Sequence, residues 1–366
     1  MRIGLINDYP PSTGIGNYAY SLFSELRKLG RDVEMLYLAA KEAPAPREGM
    51  RVISTPYKLP FLRRTFNWYF YFPKKIPGGY DLYHATNQYL SRVAEHRRPC
   101  VVSCMDIFPV ILKKDYPFPL RFMLEKALQS LRRADAVITI SEYSKKELVS
   151  KLNMPREKIK VVYLGVDTNT FKPVDKEDAR KKINLPLDKK IILHVGSEEP
   201  RKNISGLIEA FYKFKKKNPN AFLIRVGEKR ASTGRLIREL GLEREVLYYE
   251  RVSKENLVLL YNSSDVFALP SFYEGFGLPA LEAMACGVPV IASNSPSLSE
   301  VIGDGGIMVD PFDVNALTRS MSEVLAHREI RRYLIEKGLK RAKSFSWEKT
   351  ARETLDTYEK IYEKAN

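Results

Sequence analysis

Short apolar runs alternate with longer amphipathic stretches along almost the whole chain, and this alternation restricts the fold more than any other feature. In the first half the runs are Arg2–Ile6, Val33–Leu38, Asp81–His84, Cys100–Met105, Ala136–Ile140 and Lys160–Tyr163. Helical patterns lie between them, among them Asn17–Leu29, Pro119–Arg133 and Ser144–Leu152. Ser144 with Glu147 reads as a capping box opening the last of these. Strand runs separated by helix-length amphipathic segments are the mark of a parallel α/β sheet. A polar, proline-marked stretch follows, from Phe171-Lys172-Pro173 through a charged run to Lys182 and Leu185-Pro186-Leu187. It is the natural inter-domain boundary.

The alternation then restarts. Lys190–Val195, Ala221–Val226, Val246–Tyr248, Val266–Leu269, Val288–Ala292 and Ile307–Val309 read as strands, and Ile204–Lys216, Ser253–Ser263 and Leu278–Ala285 as helices, before three terminal helices. The expected architecture is α/β with two Rossmann-like domains, 1–170 and 171–345, facing each other across a ligand cleft. The closing helix, 346–366, is expected to pack back on the first domain. A length of 366 residues agrees with two cores rather than one.

Charge is unevenly spread. Residues 1–170 carry 27 of the 60 Lys and Arg but only 16 of the 44 Asp and Glu, a net +11 against +5 for the remainder. Anionic partners are expected on the N-terminal half. Three cysteines and four scattered histidines fit neither a disulfide framework nor zinc spacing. The opening Arg2-Ile3-Gly4-Leu5-Ile6 lacks the shape of a leader, and no apolar stretch approaches the length of a membrane span. A cytoplasmic setting is expected, with peripheral attachment at the inner membrane face left open.

The segment Ser271–Gly287 concentrates chemistry. Glu274 follows the strand Val266–Leu269 at its carboxyl end, where open α/β sheets bind ligands, and Glu282 lies about a turn inside the next helix. Gly275 and Gly277 allow backbone amides to approach a ligand, and a helix start favours phosphate or sugar oxygens. An ordinary loop and an exposed helix glutamate explain poorly why all of these gather at one helix start.

This segment resembles the Glu, seven residues, Glu motif of retaining glycosyltransferases of family 4, whose fold is GT-B. Other stretches resemble the same family in the same order: Thr13-Gly14-Ile15-Gly16-Asn17-Tyr18, Leu164-Gly165-Val166-Asp167, Val195-Gly196-Ser197-Glu198-Glu199-Pro200-Arg201-Lys202-Asn203, and Phe345-Ser346-Trp347. The resemblance implies transfer of a hexose from a nucleotide diphosphate sugar to a glycan or lipid-linked acceptor, without a cofactor or metal. Arg201 and Lys202 would hold the departing diphosphate, where negative charge grows. Glu282 would accept from the ribose hydroxyls and Glu274 would contact the transferred sugar. Gly14, Gly16 and Gly196 would lie against the donor, as would the backbone of Gly275, Phe276, Gly277 and Leu278, with Val252 at the nucleobase. The Gly-Ile-Gly-Asn-Tyr loop is similar to that of mannosyltransferases, so GDP-mannose is the first choice of donor and UDP-hexoses the second.

The first loop also matches G-x-G-x-x-A, but the acidic residue of a dinucleotide site is missing after Val33–Leu38. Many family members carry His-Asp after the fourth strand. Here Met105 stands in the histidine place and only Asp106 is kept. A thioether neither bonds strongly to a hydroxyl nor moves a proton. Either Asp106 or His84 takes over on the acceptor side, or the contact is dispensable. The implied mechanism has the acceptor hydroxyl attack the face the diphosphate leaves, the diphosphate helping to take its proton.

Tyr57–Lys75 holds eight aromatics and five cations with no acid. Lys58, Arg63, Arg64, Trp68, Lys74 and Lys75 suit an anionic membrane surface. The alternative is that the rings pack into the domain and the cations face water. No nucleic-acid module accompanies them. Besides the transferase, two other classes share the fold: a nucleotide-sugar epimerase, and a non-catalytic glycan- or nucleic-acid-binding protein.

Overall fold

The structure, a computed structural model, describes residues 1–39, 48–54, 70–111 and 118–366. It divides into two compact units: Met1–Gly165 together with Trp347–Asn366, and Val166–Ser346.

Among the described residues, the first unit is built on a parallel sheet of seven strands: β1 (Arg2–Asn7), β2 (Asp32–Ala39), β3 (Met50–Ser54), β4 (Leu82–Ala85), β5 (Cys100–Cys104), β6 (Ala136–Thr139) and β7 (Ile159–Val161). Their order is β3-β2-β1-β4-β5-β6-β7, so chain direction across the sheet reverses between β1 and β4, where Ile3 pairs with Val33 on one side and Leu82 on the other. Helices cover both faces, which is why the central strands are continuous apolar runs with Ile6, Val102 and Val137 wholly buried. The helix Gly14–Lys28 presents Tyr18, Leu22 and Leu26 inward at helical spacing.

Two local expectations are corrected here. The first helix begins at Gly14 rather than Asn17, because the Thr13 side chain caps it by accepting from Gly16 N at 3.0 Å. The helix over 142–152 is capped by Ser141, not Ser144: Ser141 has extended backbone and accepts from Ser144 N at 3.0 Å, which places Ser144 inside the first turn.

The closing helix Trp347–Ala365 belongs to this first unit. Its Tyr358 hydroxyl lies 2.5 Å from His84 Nδ1, and Thr350 Oγ1 donates to Tyr163 O at 2.7 Å.

The second unit carries a six-stranded parallel sheet of β8 (Lys190–Val195), β9 (Ala221–Val226), β10 (Val246–Tyr249), β11 (Val266–Leu269), β12 (Val290–Ser293) and β13 (Gly306–Val309). The order is β10-β9-β8-β11-β12-β13, with the reversal between β8 and β11. Phe211 and Phe214 from the helix Ile204–Lys217 share one buried core with Leu223 and Val266.

The charged run before it, within the stretch read as the boundary, is helical. Lys176–Lys182 is a helix with Glu177 and Asp178 in its first turn and Arg180, Lys181 and Lys182 in its last, as the helix dipole favours. Its Arg180 is buried and donates to Asp265 Oδ2 at 2.9 Å. The paired parallel sheets match the α/β, two-Rossmann reading of the alternation. Among the described residues no helix is long and apolar enough to cross a membrane.

Candidate active site

At the carboxyl ends of β8 and β11, where strand order reverses, two loops meet. The loop after β8 runs from Gly196, at φ +152°, to a single 3₁₀ turn over Pro200–Lys202. Asn203 then adopts the left-handed conformation (φ +54°), which asparagine tolerates better than most residues, and opens the helix Ile204–Lys217. Its Nδ2 donates to Pro270 O at 3.1 Å and Pro311 O at 2.7 Å, while its Oδ1 accepts from Gly206 N at 3.3 Å. One side chain thus binds the loop after β8 to those after β11 and β13.

Glu274, in the loop after β11, is buried and surrounded by donors. Lys202 Nζ lies 2.7 Å from Oε1 and 2.9 Å from Oε2, Arg201 Nη1 lies 3.4 Å from Oε2, and Ser271 Oγ donates to Oε1 at 2.7 Å. Burial alone would raise the Glu274 pKa, but Lys202 and Arg201 outweigh it and hold the carboxyl below its usual range. Burial lowers that of Lys202, against the pull of Glu274. Arg201 also pairs with Glu199 at 2.7 Å, and its carbonyl accepts from Phe272 N at 2.7 Å. Two cations and a carboxylate therefore converge on one point at the switch of the sheet, the place where open α/β sheets take ligands.

The helix Leu278–Ala285 starts from Gly277 at φ +100°. The left-handed backbone favours glycine, and a Cβ there would also displace the Leu298 side chain, whose Cδ2 lies 2.3 Å away. Gly275 is buried in the same loop, Phe276 packs edge-on against Phe345, and Leu278 is half-buried. Glu282 is buried deeper in this helix and accepts from the Tyr261 hydroxyl at 2.8 Å. Burial pushes its pKa up to about 7. Val252 is half-buried between β10 and the helix Lys254–Ser263.

The remaining sequence candidates lie in the first unit. Gly14 has open space where a Cβ would be. Gly16 does not: a Cβ would stand 1.8 Å from Pro10 O, so its glycine is dictated by the turn that starts the helix. Asp106, half-buried just past β5, accepts from Gln88 Nε2 at 3.4 Å, and Gln88 Oε1 accepts from the backbone N of the buried Met105 at 3.1 Å. His84, the other acceptor-side candidate, lies inside the unit. Its ring is wholly buried, with Nδ1 2.5 Å from Tyr358 Oη and Nε2 2.7 Å from Ser103 Oγ. Burial brings its pKa down to about 3, which favours the neutral imidazole. Lys74 and Lys75 are exposed on the turn Phe72–Lys75, while Phe72 is fully buried. Lys58, Arg63, Arg64 and Trp68 lie outside the described residues.

One cluster was not anticipated. Arg225, in β9, is fully buried beneath the loop after β8 and donates from Nη2 to Gly196 O at 3.2 Å. Its Nη1 bonds to His194 Nδ1, and Glu198 Oε1 lies 3.7 Å from Nη2 while accepting from Tyr248 Oη at 2.7 Å. Glu198 also accepts from Arg230 N at 2.7 Å. Burial, reinforced by Arg225, depresses the His194 pKa well below its usual value. The signal in the sequence was an arginine inside the otherwise apolar run Ala221–Val226.

Two family models match the chain: Glycosyltransferase Family 4 over residues 12–170 and Glycosyl transferases group 1 over residues 175–341. The O-antigen chain mannosyltransferase B of Escherichia coli is 33% identical over 284 residues, 76% of this chain and 74% of that protein. The D-inositol 3-phosphate glycosyltransferase of Mycolicibacterium smegmatis is 34% identical over 249 residues, 66% of this chain but only 56% of that protein. Among solved structures, a sucrose-phosphate synthase from Thermosynechococcus elongatus superposes with a TM-score of 0.81 at 26% identity, covering 99% of each chain.

Proposed function

The chain belongs to the family 4, group 1 glycosyltransferases, and from that premise we propose that it moves a hexose, mannose first, from a nucleotide diphosphate sugar to a glycan or lipid-linked acceptor with retention at the anomeric carbon. The observation that carries the reading is the convergence of Arg201, Lys202 and Glu274 at the switch between β8 and β11. As the glycosidic C–O bond breaks, its electron pair goes to the diphosphate. Arg201 offers that oxygen a planar fork and Lys202 a mobile point charge, so two side chains supply the charge the leaving group needs. Glu274, held by the same cations, is placed to accept from hydroxyls of the transferred sugar. The acceptor hydroxyl attacks from the face the diphosphate leaves and passes its proton to a diphosphate oxygen.

Mannose is preferred because of the first loop and because relatives such as the E. coli O-antigen enzyme are named mannosyltransferases. GDP-mannose is therefore the first donor to try and UDP-hexoses the second. Exposure of Lys74 and Lys75 favours attachment to an anionic lipid surface, which flotation with anionic and neutral liposomes tests.

Incubation with GDP-mannose, UDP-glucose and UDP-galactose, read by mass and by anomeric proton couplings, tests the whole reading. A sugar appearing on an acceptor with the donor's own anomeric configuration is the expected result. An inverted product refutes retention, and an epimerised nucleotide sugar without transfer refutes the transferase assignment.

A further inference from the structure

The rims of two loops in the second unit hold the phenyl rings of Phe272 and Phe312, stacked with centroids 4.7 Å apart and planes 28° from parallel. Phe312 is 77% exposed and Phe272 40% exposed. Single exposed apolar side chains are ordinary. Two rings stacked on each other cover their facing sides and leave the outer side of the Phe312 ring as a flat apolar face beside the exposed part of Phe272.

The face is firmly mounted on the candidate active site. Phe272 N donates to Arg201 O at 2.7 Å, and Asn203 Nδ2 holds both Pro270 O and Pro311 O, the residues just before Ser271-Phe272 and just before Phe312. Phe312 N donates to Asp310 Oδ1 at 2.9 Å. The platform is therefore continuous with the loops that carry Arg201, Lys202 and Glu274.

Strand order gives the platform a direction. With the diphosphate at the switch between β8 and β11, Val252, the position assigned to the nucleobase, follows β10 at one edge of the sheet. Phe312 follows β13 at the opposite edge. The face thus lies toward the sheet edge opposite the one that carries Val252. Asp310 next to it is exposed and anionic, which disfavours a phosphate and suits hydroxyl donors. A flat apolar face with a carboxylate at its rim matches one ligand chemistry: the C–H face of a pyranose ring, with its hydroxyls turned outward. We propose that Phe272 and Phe312 form a subsite for a neutral pyranose unit of the acceptor glycan. This rests on the glycosyl-transfer reading and adds where the acceptor is held.

The test is saturation-transfer NMR on the full chain with four trisaccharides (mannotriose, maltotriose, cellotriose and chitotriose), alongside thermal-shift titration with GDP and UDP. The wild type and Phe312→Tyr should transfer magnetisation to the ring C–H protons of at least one trisaccharide. Phe272→Ala with Phe312→Ala should weaken that signal at least fivefold while its GDP and UDP shifts match wild type. No transfer from the wild type to any of the four, or equal transfer in the double variant, overturns the subsite. Concentration-dependent self-association that the double variant abolishes also overturns it, by assigning the face to a second copy. Absence of any nucleotide-induced shift in the wild type would instead count against the glycosyl-transfer reading itself.

Discussion

Lys202 Nζ sits 2.7 and 2.9 Å from the two carboxylate oxygens of Glu274, a residue 72 positions further along the chain. Both side chains are largely buried, at 11% and 7% exposure, and Glu274 shares its carboxylate between Lys202 and Arg201. Truncating Lys202 leaves the buried Glu274 carboxylate with Arg201 at 3.4 Å as its remaining cation and Ser271 as a donor, so the cost falls below the roughly 3–5 kcal/mol of a fully unpaired buried charge, at about 2 kcal/mol. Lys202→Ala should therefore destabilise the second unit by about that amount, and adding Glu274→Gln should recover most of it. Urea unfolding of the single and double variants measures this coupling directly.

Glu282 makes stability depend on pH. Its pKa is raised by burial to about 7 from an ordinary 4.5. The folded state then holds a proton that the unfolded state releases. The associated stability is fully present below about pH 4.5 and is lost as pH rises through 7. Glu282→Gln should flatten this slope between pH 5 and pH 8, and thermal unfolding of both proteins across that range measures it. Equal slopes would remove Glu282 as the source.

The buried chain Tyr358–His84–Ser103–Tyr18 fastens the closing helix to β4, β5 and the first helix, with successive contacts of 2.5, 2.7 and 2.8 Å. His84→Ala orphans buried hydroxyls as well as opening a cavity, so a loss of about 3 kcal/mol or more is expected. Tyr358→Phe should cost about 1 kcal/mol. Because the folded His84 pKa is depressed to about 3, its contribution is present above about 6.5 and is lost as pH falls toward 3. Turnover of either variant at 25 °C should equal that of wild type, since the ring is a core group; a selective fall in kcat would contradict this.

Gly16 and Gly277 are required for different reasons. Gly16→Ala places a Cβ 1.8 Å from the carbonyl oxygen of Pro10, which must move the turn before the first helix. Gly277→Ala meets Leu298 and also forces a side chain into left-handed backbone, which by itself costs about 1–2 kcal/mol. Gly14→Ala, with open space, should be tolerated. Melting temperatures of the three variants should fall in two classes, Gly14→Ala standing alone with wild type.

Arg225 holds Gly196 O from below at 3.2 Å, and through it the loop that carries Arg201 and Lys202. Arg225→Met with Glu198→Gln removes both buried charges together. It should leave a folded protein whose KM for donor rises about tenfold or more while acceptor KM stays put. Steady-state kinetics with each substrate varied in turn separates the two.

Most of the strands were legible because parallel sheets covered on both faces demand continuous apolar runs; β11 is wholly of that kind, and β1, β5 and β8 are interrupted only by terminal residues and by the buried Ser103 and His194. β3 escaped because its residues are exposed or only half-buried at the sheet edge, so Met50–Ser54 carries no such run. The helix Lys176–Lys182 escaped for the opposite reason: its charges read as part of a polar inter-domain boundary, and only Asp265, far along the chain, explains why Arg180 is inside. At the site, the residue types around Glu274 were readable from local spacing. Their pairing across 72 positions was not, because loop contact depends on strand order. His84 looked available from its place at a strand end, until Tyr358 on the closing helix took its Nδ1.

The central claim is that Arg201 and Lys202 grip the diphosphate of a nucleotide sugar. Titration calorimetry with GDP-mannose and UDP-glucose on the wild type and on Arg201→Ala with Lys202→Ala tests it most directly. The wild type should bind at least one of these donors, and the double variant should bind it at least a hundredfold more weakly. Equal affinity in the two proteins, or no binding of either donor by the wild type, would contradict the claim.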